Sequence, residues 1–216
     1  MKQFFCYSRL SILKAMLKLA KKSHYLNSTG WTISSCVKRP VSMAGEPMPW
    51  ITYPCIDYLE HIFKEMNLRR VNLLEYGAGW STLWWAHRCG KVYSIEHDEK
   101  WYNYISAIAP DNVTMRYVSL LPRADYAQYP LNFGVNFEIL VIDGRNRALC
   151  AKFAPSVLTP NGVIIFDNAD REKYLGAINY LKGVGFRYIP FYGLAPVNSR
   201  KSATFIFYRE GNIFNL

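Results

Sequence analysis

Glycine and acidic residues follow two apolar runs within the segment 71–98, VNLLEYGAGWSTLWWAHRCGKVYSIEHD. The first run ends on Glu75 and is followed by Gly77 and Gly79, and the second run ends on Glu96. Glycines in a strand-to-helix turn let the backbone approach a ligand closely, because they carry no Cβ atom. An acid at the tip of the next strand is placed to accept hydrogen bonds from ribose hydroxyls. The segment therefore predicts half of a binding site for a nucleotide-like ligand.

Two classes of ligand fit this turn. The dinucleotide fingerprint requires a glycine or small residue in its third place, where this chain has Thr82, so spacing alone leaves a dinucleotide site open. Glu75 favours a different ligand, since a carboxylate repels a pyrophosphate and attracts an ammonium or sulfonium group. Glu96, which follows Glu75 by 21 residues, suits a ribose contact for either ligand.

Polar residues also follow two later apolar runs. Asp143 ends one run, and Asp167 and Asn168 end the other. In an open α/β sheet, ligands bind beyond the carboxyl ends of the strands, so we expect these residues to line the pocket of a second substrate. Two carboxylates and an amide suit Mg²⁺ or Ca²⁺. The alternative is that nearby arginines pair with the carboxylates or bind an anionic substrate: Arg145, Arg147 and Arg171.

The elements that position these residues alternate along the chain. Apolar runs predict strands at 71–75, 91–95, 113–118, 137–142, 162–166, 186–190 and 203–208. Helical patterns predict helices at 56–66, 81–89, 98–108, 145–157 and 170–183. This alternation predicts a doubly wound α/β sheet with helices on both faces. The last two strands are joined without a helix, which predicts an antiparallel pair.

The N-terminal part of the chain differs in composition from the rest. The net charge of +10 is concentrated in the first forty residues, which hold eight basic residues and no acidic one. Residues 8–22 predict a basic amphipathic helix, which either binds a membrane surface or a partner, or covers the main domain with its apolar face; we favour the cover. Residues 23–54 predict an irregular, packed connector. We therefore expect an arm at 1–54 and one domain at 55–216.

The location of the protein follows from its cysteines and its apolar stretches. The five cysteines are single and lack CxxC spacing, which favours a reducing compartment and argues against both a disulfide framework and a zinc site. Lysines interrupt the apolar N-terminal stretch, so neither a transmembrane segment nor a signal peptide is expected. The prediction is a cytoplasmic protein, with a peripheral position at the membrane surface as the alternative that the basic helix leaves open.

The glycine turn with its flanking acids resembles a known family of enzymes. The pattern E-x-G-x-G after the first strand, the acid that closes the second strand and the antiparallel pair at the end are similar to class I S-adenosylmethionine (SAM)-dependent methyltransferases. The resemblance covers about residues 55–210. The phrases LEYGAGWSTLWWA, YSIEHDEKWY, VIDGRNR and GVIIFDNADR resemble a bacterial group of methyltransferase-like proteins, mostly of unassigned substrate.

This resemblance implies a seven-stranded Rossmann-like sheet of order 3-2-1-4-5-7-6, with strand 7 antiparallel. It implies that the residues around the turn surround the methionine part of SAM, that Glu96 holds the ribose hydroxyls and that His97 lies near the adenine edge. Ser81 stands where many members carry a third glycine. The expected cofactor-binding residues are Glu75, Tyr76, Gly77, Ala78, Gly79, Ser81, Thr82, Glu96, His97 and Asp143.

The predicted reaction is methyl transfer to a small-molecule or glycan acceptor, at a hydroxyl oxygen. We expect Asp143 to act as general base. The group Asp143, Asp167 and Asn168 also resembles the Mg²⁺ site of catechol-type O-methyltransferases. The alternatives are a binding protein that has the fold without turnover, and an NAD-dependent enzyme. Nucleic acid is a disfavoured partner, because the basic residues lie in the arm and no Asn-Pro-Pro-Tyr motif occurs.

Aromatic residues complete the expected second-substrate pocket. The segment 120–136 and the loop before the last strand are interpreted as the loops that carry acceptor specificity. Aromatic residues predicted in loops are expected to line that pocket: Trp50, Tyr126, Tyr129 and Tyr192. Trp101, on a predicted helix, is interpreted as a core residue.

Overall fold

The computed structural model describes residues 9–216, which form one seven-stranded sheet of order β3-β2-β1-β4-β5-β7-β6. The strands are β1 (Asn72–Tyr76), β2 (Lys91–Glu96), β3 (Val113–Tyr117), β4 (Phe137–Ile142), β5 (Leu158–Asp167), β6 (Arg187–Gly193) and β7 (Ser202–Tyr208). Strands β1 to β5 pair in parallel, and β7 runs antiparallel to both β5 and β6. The predicted strand order and the antiparallel last strand are confirmed.

The central strands are buried on both faces. Alternate residues of β1 enter two separate apolar clusters, Leu74 and Tyr76 on one face and Leu73 on the other. The same alternation places Leu140 in the first cluster and Ile139 in the second. A strand covered on both faces reads as a continuous apolar run, which is why these strands were visible in the sequence.

The helices that follow the strands are shorter than predicted. They are α4 (Trp80–Ala86), α5 (Glu99–Ser106), α7 (Arg147–Val157) and α8 (Leu175–Gly183), the last preceded by a 3₁₀ turn at Glu172–Tyr174. Asp98 caps α5 from outside, because its carboxylate accepts a hydrogen bond from Trp101 N at 2.9 Å. Asn146 has a φ of 52°, so α7 begins one residue later, at Arg147.

Two segments predicted as irregular contain helices. Residues 23–54 include the end of α1 (Arg9–Ser28), α2 (Trp31–Val37) and the first residues of α3 (Tyr53–Glu65). Residues 120–136 include α6 (Arg123–Gln128) and a 3₁₀ turn at Tyr129–Phe133. These polar, proline-containing stretches lack a clear 3.6-residue pattern. Tertiary packing, as of the fully buried Tyr126, determines their conformation instead.

The segment between α2 and α3 is fixed to the C-terminal strands. Thr52 N donates to Thr204 Oγ1 at 3.1 Å, and Thr52 Oγ1 donates to Phe191 O at 2.9 Å. Trp31 Nε1 donates to Asn198 O at 2.8 Å. These bonds join the arm to β6, β7 and the loop between them, and they bring residues 38–50 over the end of the sheet where the strands terminate.

Helix α1 leaves apolar side chains in solvent. Leu13, Met16 and Leu17 are more than half exposed, and the principal neighbour of the helix is α2. The favoured interpretation of α1 as a cover for the main domain is therefore not met by these three side chains, which belong to neither apolar cluster of the described residues. Of the predicted helix 8–22, Ser8 lies outside the described residues. None of the described helices has the length and apolarity needed to cross a membrane.

The turns after β1 and β4 touch through two glycines. Gly77 has a φ of +93°, and a Cβ atom there would lie 2.6 Å from Gly144 Cα. A Cβ on Gly144 would lie 2.8 Å from Tyr126 Oη and 2.9 Å from Gly77 N. Both positions therefore exclude side chains, and the two strand ends that carry Glu75 and Asp143 are held in direct contact.

Gly77→Ala should destabilise the fold strongly, because it combines an unfavourable φ with a backbone clash. We expect a loss of about 2 kcal/mol or more in the free energy of unfolding. Gly176→Ala is the matched control, since Gly176 lies in α8 with open space around its Cα atom and should change stability little or raise it slightly. Denaturant unfolding of both variants measures the difference, and equal effects would contradict this role of Gly77.

Candidate functional site

A cavity of about 620 Å³ opens at the carboxyl ends of β1, β2 and β4. Its volume is in the range of cofactor and small-molecule sites. The lining residues come from the arm, the glycine turn, the end of β2 and the loop after β4: Lys38, Arg39, Pro40, Trp50, Gly77, Ala78, Gly79, Trp80, Ser81, Glu96, His97, Asp98, Trp101, Asp143, Gly144, Arg145 and Arg147. Seven of the ten predicted cofactor-binding residues are in this list.

Glu96 organises the two turns that border the cavity. Its Oε2 accepts a hydrogen bond from Ala78 N at 3.0 Å, and its Oε1 accepts from His97 N at 2.6 Å and Asp98 N at 2.8 Å. His97 Nδ1 lies 2.7 Å from the same Oε1. The acid that closes β2 is thus bound by backbone donors of two turns, and Oε2 keeps one acceptor position toward the cavity.

Glu75 lies beneath the glycine turn and does not line the cavity. Its Oε2 accepts hydrogen bonds from Thr82 Oγ1 and from Ser94 Oγ, and Thr82 Oγ1 in turn accepts from Gly79 N at 2.9 Å. Glu75 Oε1 is buried without a hydrogen-bond partner in the described residues. Tyr76 and Thr82 are also fully buried. These three predicted cofactor residues therefore support the turn from below.

Burial raises the pKa of Glu75 to about 7, against an ordinary value of 4.5. Hydrogen bonds from Ser81, Thr82 and Ser94 favour the charged carboxylate and oppose this shift, and the nearby Glu96 adds to it. The carboxyl group of Glu75 therefore titrates near neutral pH.

Two tryptophans and two cations of the cavity were not predicted as site residues. Trp101, interpreted from the sequence as core, is 37% exposed and donates from Nε1 to Ala78 O at 2.7 Å, so its ring stands beside the glycine turn. Arg39 lies 4.9 Å above the ring of Trp80. Lys38 and Arg39 come from the arm. The packing of the arm on the rest of the chain brings these two cations to the cavity, so the local sequence pattern gave no indication of their position.

Arg147 connects the ends of β4 and β5. It donates to Asp143 Oδ1 at 2.8 Å and to Asp167 Oδ2 at 3.3 Å. It also donates to the backbone oxygens of Asp143 at 2.7 Å, Gly144 at 2.9 Å and Asp167 at 2.6 Å. Asp167 Oδ1 accepts a further bond from Thr204 Oγ1 at 2.8 Å. The predicted proximity of Asp143 and Asp167 is therefore observed, with a guanidinium between them.

The pKa of Asp143 is raised well above its ordinary value by burial, opposed by Arg147 and reinforced by Asp167. The pKa of Asp167 is also raised by burial, and Arg147 and Thr204 oppose the shift. A carboxylate whose pKa lies above its usual range is a better proton acceptor near neutral pH than an exposed aspartate. Asp143 borders the cavity, whereas Asp167 is nearly inaccessible.

The group Asp143, Asp167 and Asn168 does not fit a divalent cation in this structure. The positive charge of Arg147 already lies between the two carboxylates, and their oxygens accept N–H and O–H donors. A guanidinium in that position repels a second cation. No cluster of three or more acidic, histidine or cysteine side chains suited to a metal occurs in residues 9–216. The salt-bridge alternative describes these residues, with Arg147 as the partner.

A smaller cavity of about 250 Å³ lies beside the first one. It is lined by Trp50, Asp143, Arg147, Asp167, Asn168 and Asn198, and it shares the first three with the larger cavity. Trp50 therefore borders both spaces. The other predicted pocket aromatics lie elsewhere: Tyr126 is buried with its hydroxyl 3.3 Å from Ile95 O, Tyr129 packs on Phe133, and Tyr192 lies on the surface near Lys201.

Solved structures share this architecture. An O-methyltransferase from Bacillus cereus, in complex with S-adenosylhomocysteine (SAH), matches with a TM-score of 0.57 at 20% identity over 77% of this chain and 86% of that chain. This chain has the class I methyltransferase fold. A methyltransferase-like protein from Silicibacter pomeroyi matches with a TM-score of 0.55 at 20% identity over 76% and 90% of the two chains.

A third structure with the class I methyltransferase fold extends the comparison. Magnesium protoporphyrin IX methyltransferase from Synechocystis, with bound SAM, gives a TM-score of 0.51 at 15% identity over 72% of this chain and 77% of that chain. No protein-family model matches this chain, and no curated protein sequence matches it either. The similarity is therefore one of fold, and the chemistry of this site has to be argued from its own residues.

Glu75→Gln should change the pH dependence of stability. The folded protein holds the Glu75 proton more tightly than the unfolded chain, so this group's contribution to the free energy of unfolding falls as pH rises from about 4.5 to about 7. Between about pH 5 and pH 8, wild type should lose roughly 2–3 kcal/mol relative to Glu75→Gln. Denaturant unfolding of both proteins across this pH range measures the difference. If the free energy of unfolding varied with pH in the same way for both proteins, the raised pKa of Glu75 would be contradicted.

Proposed function

We propose that this chain is a SAM-dependent methyltransferase that acts on a hydroxyl oxygen of a small-molecule or glycan acceptor. The observation that carries the proposal is the cavity at the carboxyl ends of β1, β2 and β4, with Asp143 at the point where it meets a second, smaller cavity. Two spaces that share a carboxylate suit a reaction in which a group passes from one bound molecule to another. The class I methyltransferase fold supports the same assignment.

The residues of the larger cavity suit SAM. Gly79 leaves its floor open, since a Cβ there would approach no other atom closer than 3.9 Å and would project toward Trp101. Glu96 keeps an acceptor position for ribose hydroxyls, with His97 beside it, and Lys38 and Arg39 provide positive charge for a carboxylate. When bound, SAM supplies an electrophilic methyl group on a sulfonium sulfur.

Asp143 is the residue of this chain that we assign to proton transfer. It borders both cavities, and its raised pKa favours acceptance of a proton from an acceptor hydroxyl. Arg147 fixes the orientation of its carboxylate through Oδ1 at 2.8 Å. Methyl transfer is an in-line displacement, so alignment of the two molecules by Trp50 and the strand ends supplies a large part of the rate enhancement.

Binding of SAM and SAH is the first test. Calorimetric titration should show both binding to wild type, and each should raise the thermal midpoint. Gly79→Val should abolish binding because the added side chain occupies the cavity, while the extended backbone at Gly79 accepts any residue and the unliganded stability should stay near that of wild type. If SAM and SAH do not bind and NADH does, the chain is an NAD-dependent enzyme instead.

Turnover is the second test. Release of SAH should be measured against a panel of phenols and monosaccharides, and Asp143→Asn should lower the rate about 100-fold or more while SAH still binds. Chelation by EDTA should leave the rate unchanged, because Arg147 occupies the position between the carboxylates. Binding of SAH without turnover on any acceptor, and without an effect of Asp143→Asn beyond stability, would favour a binding protein.

We also propose that α1 holds the protein at an anionic membrane surface. Its exposed Leu13, Met16 and Leu17 lie beside the exposed Lys14 and Lys18, which places apolar and cationic side chains along one helix. The absence of acidic residues from the first forty residues gives this region the charge that an anionic lipid surface attracts. A helix of this kind lies in the interface plane with its apolar side toward the acyl chains.

Sedimentation with lipid vesicles tests this role of α1. Wild type should bind vesicles that contain phosphatidylserine and should bind phosphatidylcholine vesicles weakly. Lys14→Gln/Lys18→Gln should weaken binding roughly tenfold or more, and added salt should do the same. Leu13→Gln/Leu17→Gln should also release the protein, whereas Leu175→Gln, at an equally exposed position of α8, should not. Equal binding by all variants would contradict the proposal.

A further inference from the structure

A third opening, which we term the basic groove, lies between the loop after β5 and the loop before β7. Its volume is about 460 Å³. It is lined by Asn168, Asp170, Arg171, Val197, Asn198, Ser199, Arg200, Lys201 and Ser202. The lining is polar and cationic, in contrast to the larger cavity with its tryptophans.

The cations of the basic groove are available to a ligand. Arg171, Arg200 and Lys201 form no ion pair with any residue of the described chain 9–216, and all three side chains are exposed. Asp170 uses its Oδ1 to accept from Ala203 N at 3.2 Å, which ties this acid to the start of β7. The groove therefore carries three cations against one acid, and one oxygen of that acid already accepts a backbone hydrogen bond.

The basic groove continues from the cavity that contains Asp143. Asn168 and Asn198 line both spaces, so the groove begins where the smaller cavity ends. The loop wall is fixed, because Trp31 Nε1 donates to Asn198 O at 2.8 Å. Val197 has a φ of 68°, a conformation that costs free energy for a β-branched residue, and it lies in a tight turn in which Asn198 N donates to Pro196 O at 2.8 Å.

The other arginines near the strand ends are not equivalent to these. Arg147 already donates to two carboxylates and three backbone oxygens, so it has no donor left for an anionic substrate. Arg145 lines the larger cavity. The arginines that the sequence grouped together therefore separate into one that holds the carboxylates, one beside the proposed cofactor and one, Arg171, in the basic groove.

We infer that the basic groove binds an anionic group of the methyl acceptor, a phosphate, sulfate or carboxylate. This inference rests on the proposed methyl transfer, because it places the acceptor hydroxyl at Asp143 and its anionic end beyond Asn168 and Asn198. A single guanidinium, such as that of Arg171 or Arg200, can bind such an anion through two parallel N–H···O bonds, and Lys201 adds a compact charge. The substrate is then an elongated hydroxyl compound that carries negative charge at one end.

Calorimetric titration with inorganic phosphate tests the groove directly. Wild type should bind phosphate, and Arg200→Gln/Lys201→Gln should weaken binding about tenfold or more, since two charged donors are removed. Lys152→Gln/Lys182→Gln removes the same charge from exposed positions on α7 and α8 and should change binding less than about twofold. A third variant, Lys38→Gln/Arg39→Gln, tests whether phosphate binds in the larger cavity instead.

The outcomes separate this inference from the proposed function. Loss of phosphate binding in Arg200→Gln/Lys201→Gln alone, with SAH binding intact, supports the groove. Absence of phosphate binding, or its loss only in Lys38→Gln/Arg39→Gln, overturns the inference and leaves SAM binding to stand on its own titration. In turnover assays, 4-hydroxybenzoate should be preferred to its neutral counterpart 4-hydroxybenzamide by roughly tenfold. A preference for the neutral compound would also overturn it.

Discussion

The contact between Gly77 and Gly144 is the constraint on which the site depends. Parallel strands β1 and β4 pair side by side, so the turns that follow them leave the sheet at the same edge. Two ordinary residues would push these turns apart, since a Cβ at either position would lie within 3 Å of the backbone of the other turn. With two glycines, the cavity floor and the carboxylate of Asp143 come from adjacent backbones. Their relative position is therefore set by main-chain packing, which is stiffer than side-chain packing.

Arg147 extends this rigidity to β5. A buried carboxylate is costly unless it is paired, and here two carboxylates from neighbouring strands share one guanidinium. The three backbone oxygens that Arg147 also contacts fix the course of both loops. In a metal-dependent site, a cation would provide this link and would also bind the acceptor. In this chain the link is a side chain whose donors are saturated. Under the proposed function, recognition of the acceptor therefore falls to residues farther along the cleft, where the cations of the basic groove lie.

Much of the fold was predictable, because the strands of a sheet buried on both faces are continuous apolar runs. The order of the strands came from the resemblance of motifs around Glu75, Gly77 and Glu96, and not from the runs themselves. The proximity of Asp143 and Asp167 followed from the rule that ligands gather at the carboxyl ends of strands. Which of Arg145, Arg147 and Arg171 pairs with them did not follow, because that depends on the left-handed conformation of Asn146 and the start of α7 one residue beyond it.

Two of the residues that sequence reasoning missed lie in the arm. Lys38 and Arg39 reach the cavity through the packing of the arm on β6 and β7, a contact between segments about 150 residues apart. Trp101 was interpreted as core because an aromatic residue on an amphipathic helix is usually buried. Its indole N–H instead binds Ala78 O at the rim of the cavity. Glu75 was expected to face the ligand. Instead, its carboxyl group is enclosed by three hydroxyl-bearing residues. Its effect on the site passes through Thr82 to the backbone of Gly79.

The position of the charged residues is more informative than the net charge of +10. On the sequence, nearly all of the excess lay in the first forty residues, and the remainder looked balanced. In the folded chain, the acidic and basic residues of that remainder lie in different places near the strand ends. Its acids Glu75, Glu96, Asp143 and Asp167 are buried or partly buried at the strand ends, while Arg171, Arg200 and Lys201 are exposed a short distance away. A cleft with buried acids at one end and exposed cations at the other would orient the anionic acceptor that we propose before contact, since low-dielectric walls focus the field along it. In the methyl transfer that we propose, the same separation would keep the anionic end of the acceptor away from Asp143, where it would oppose ionisation of the acceptor hydroxyl.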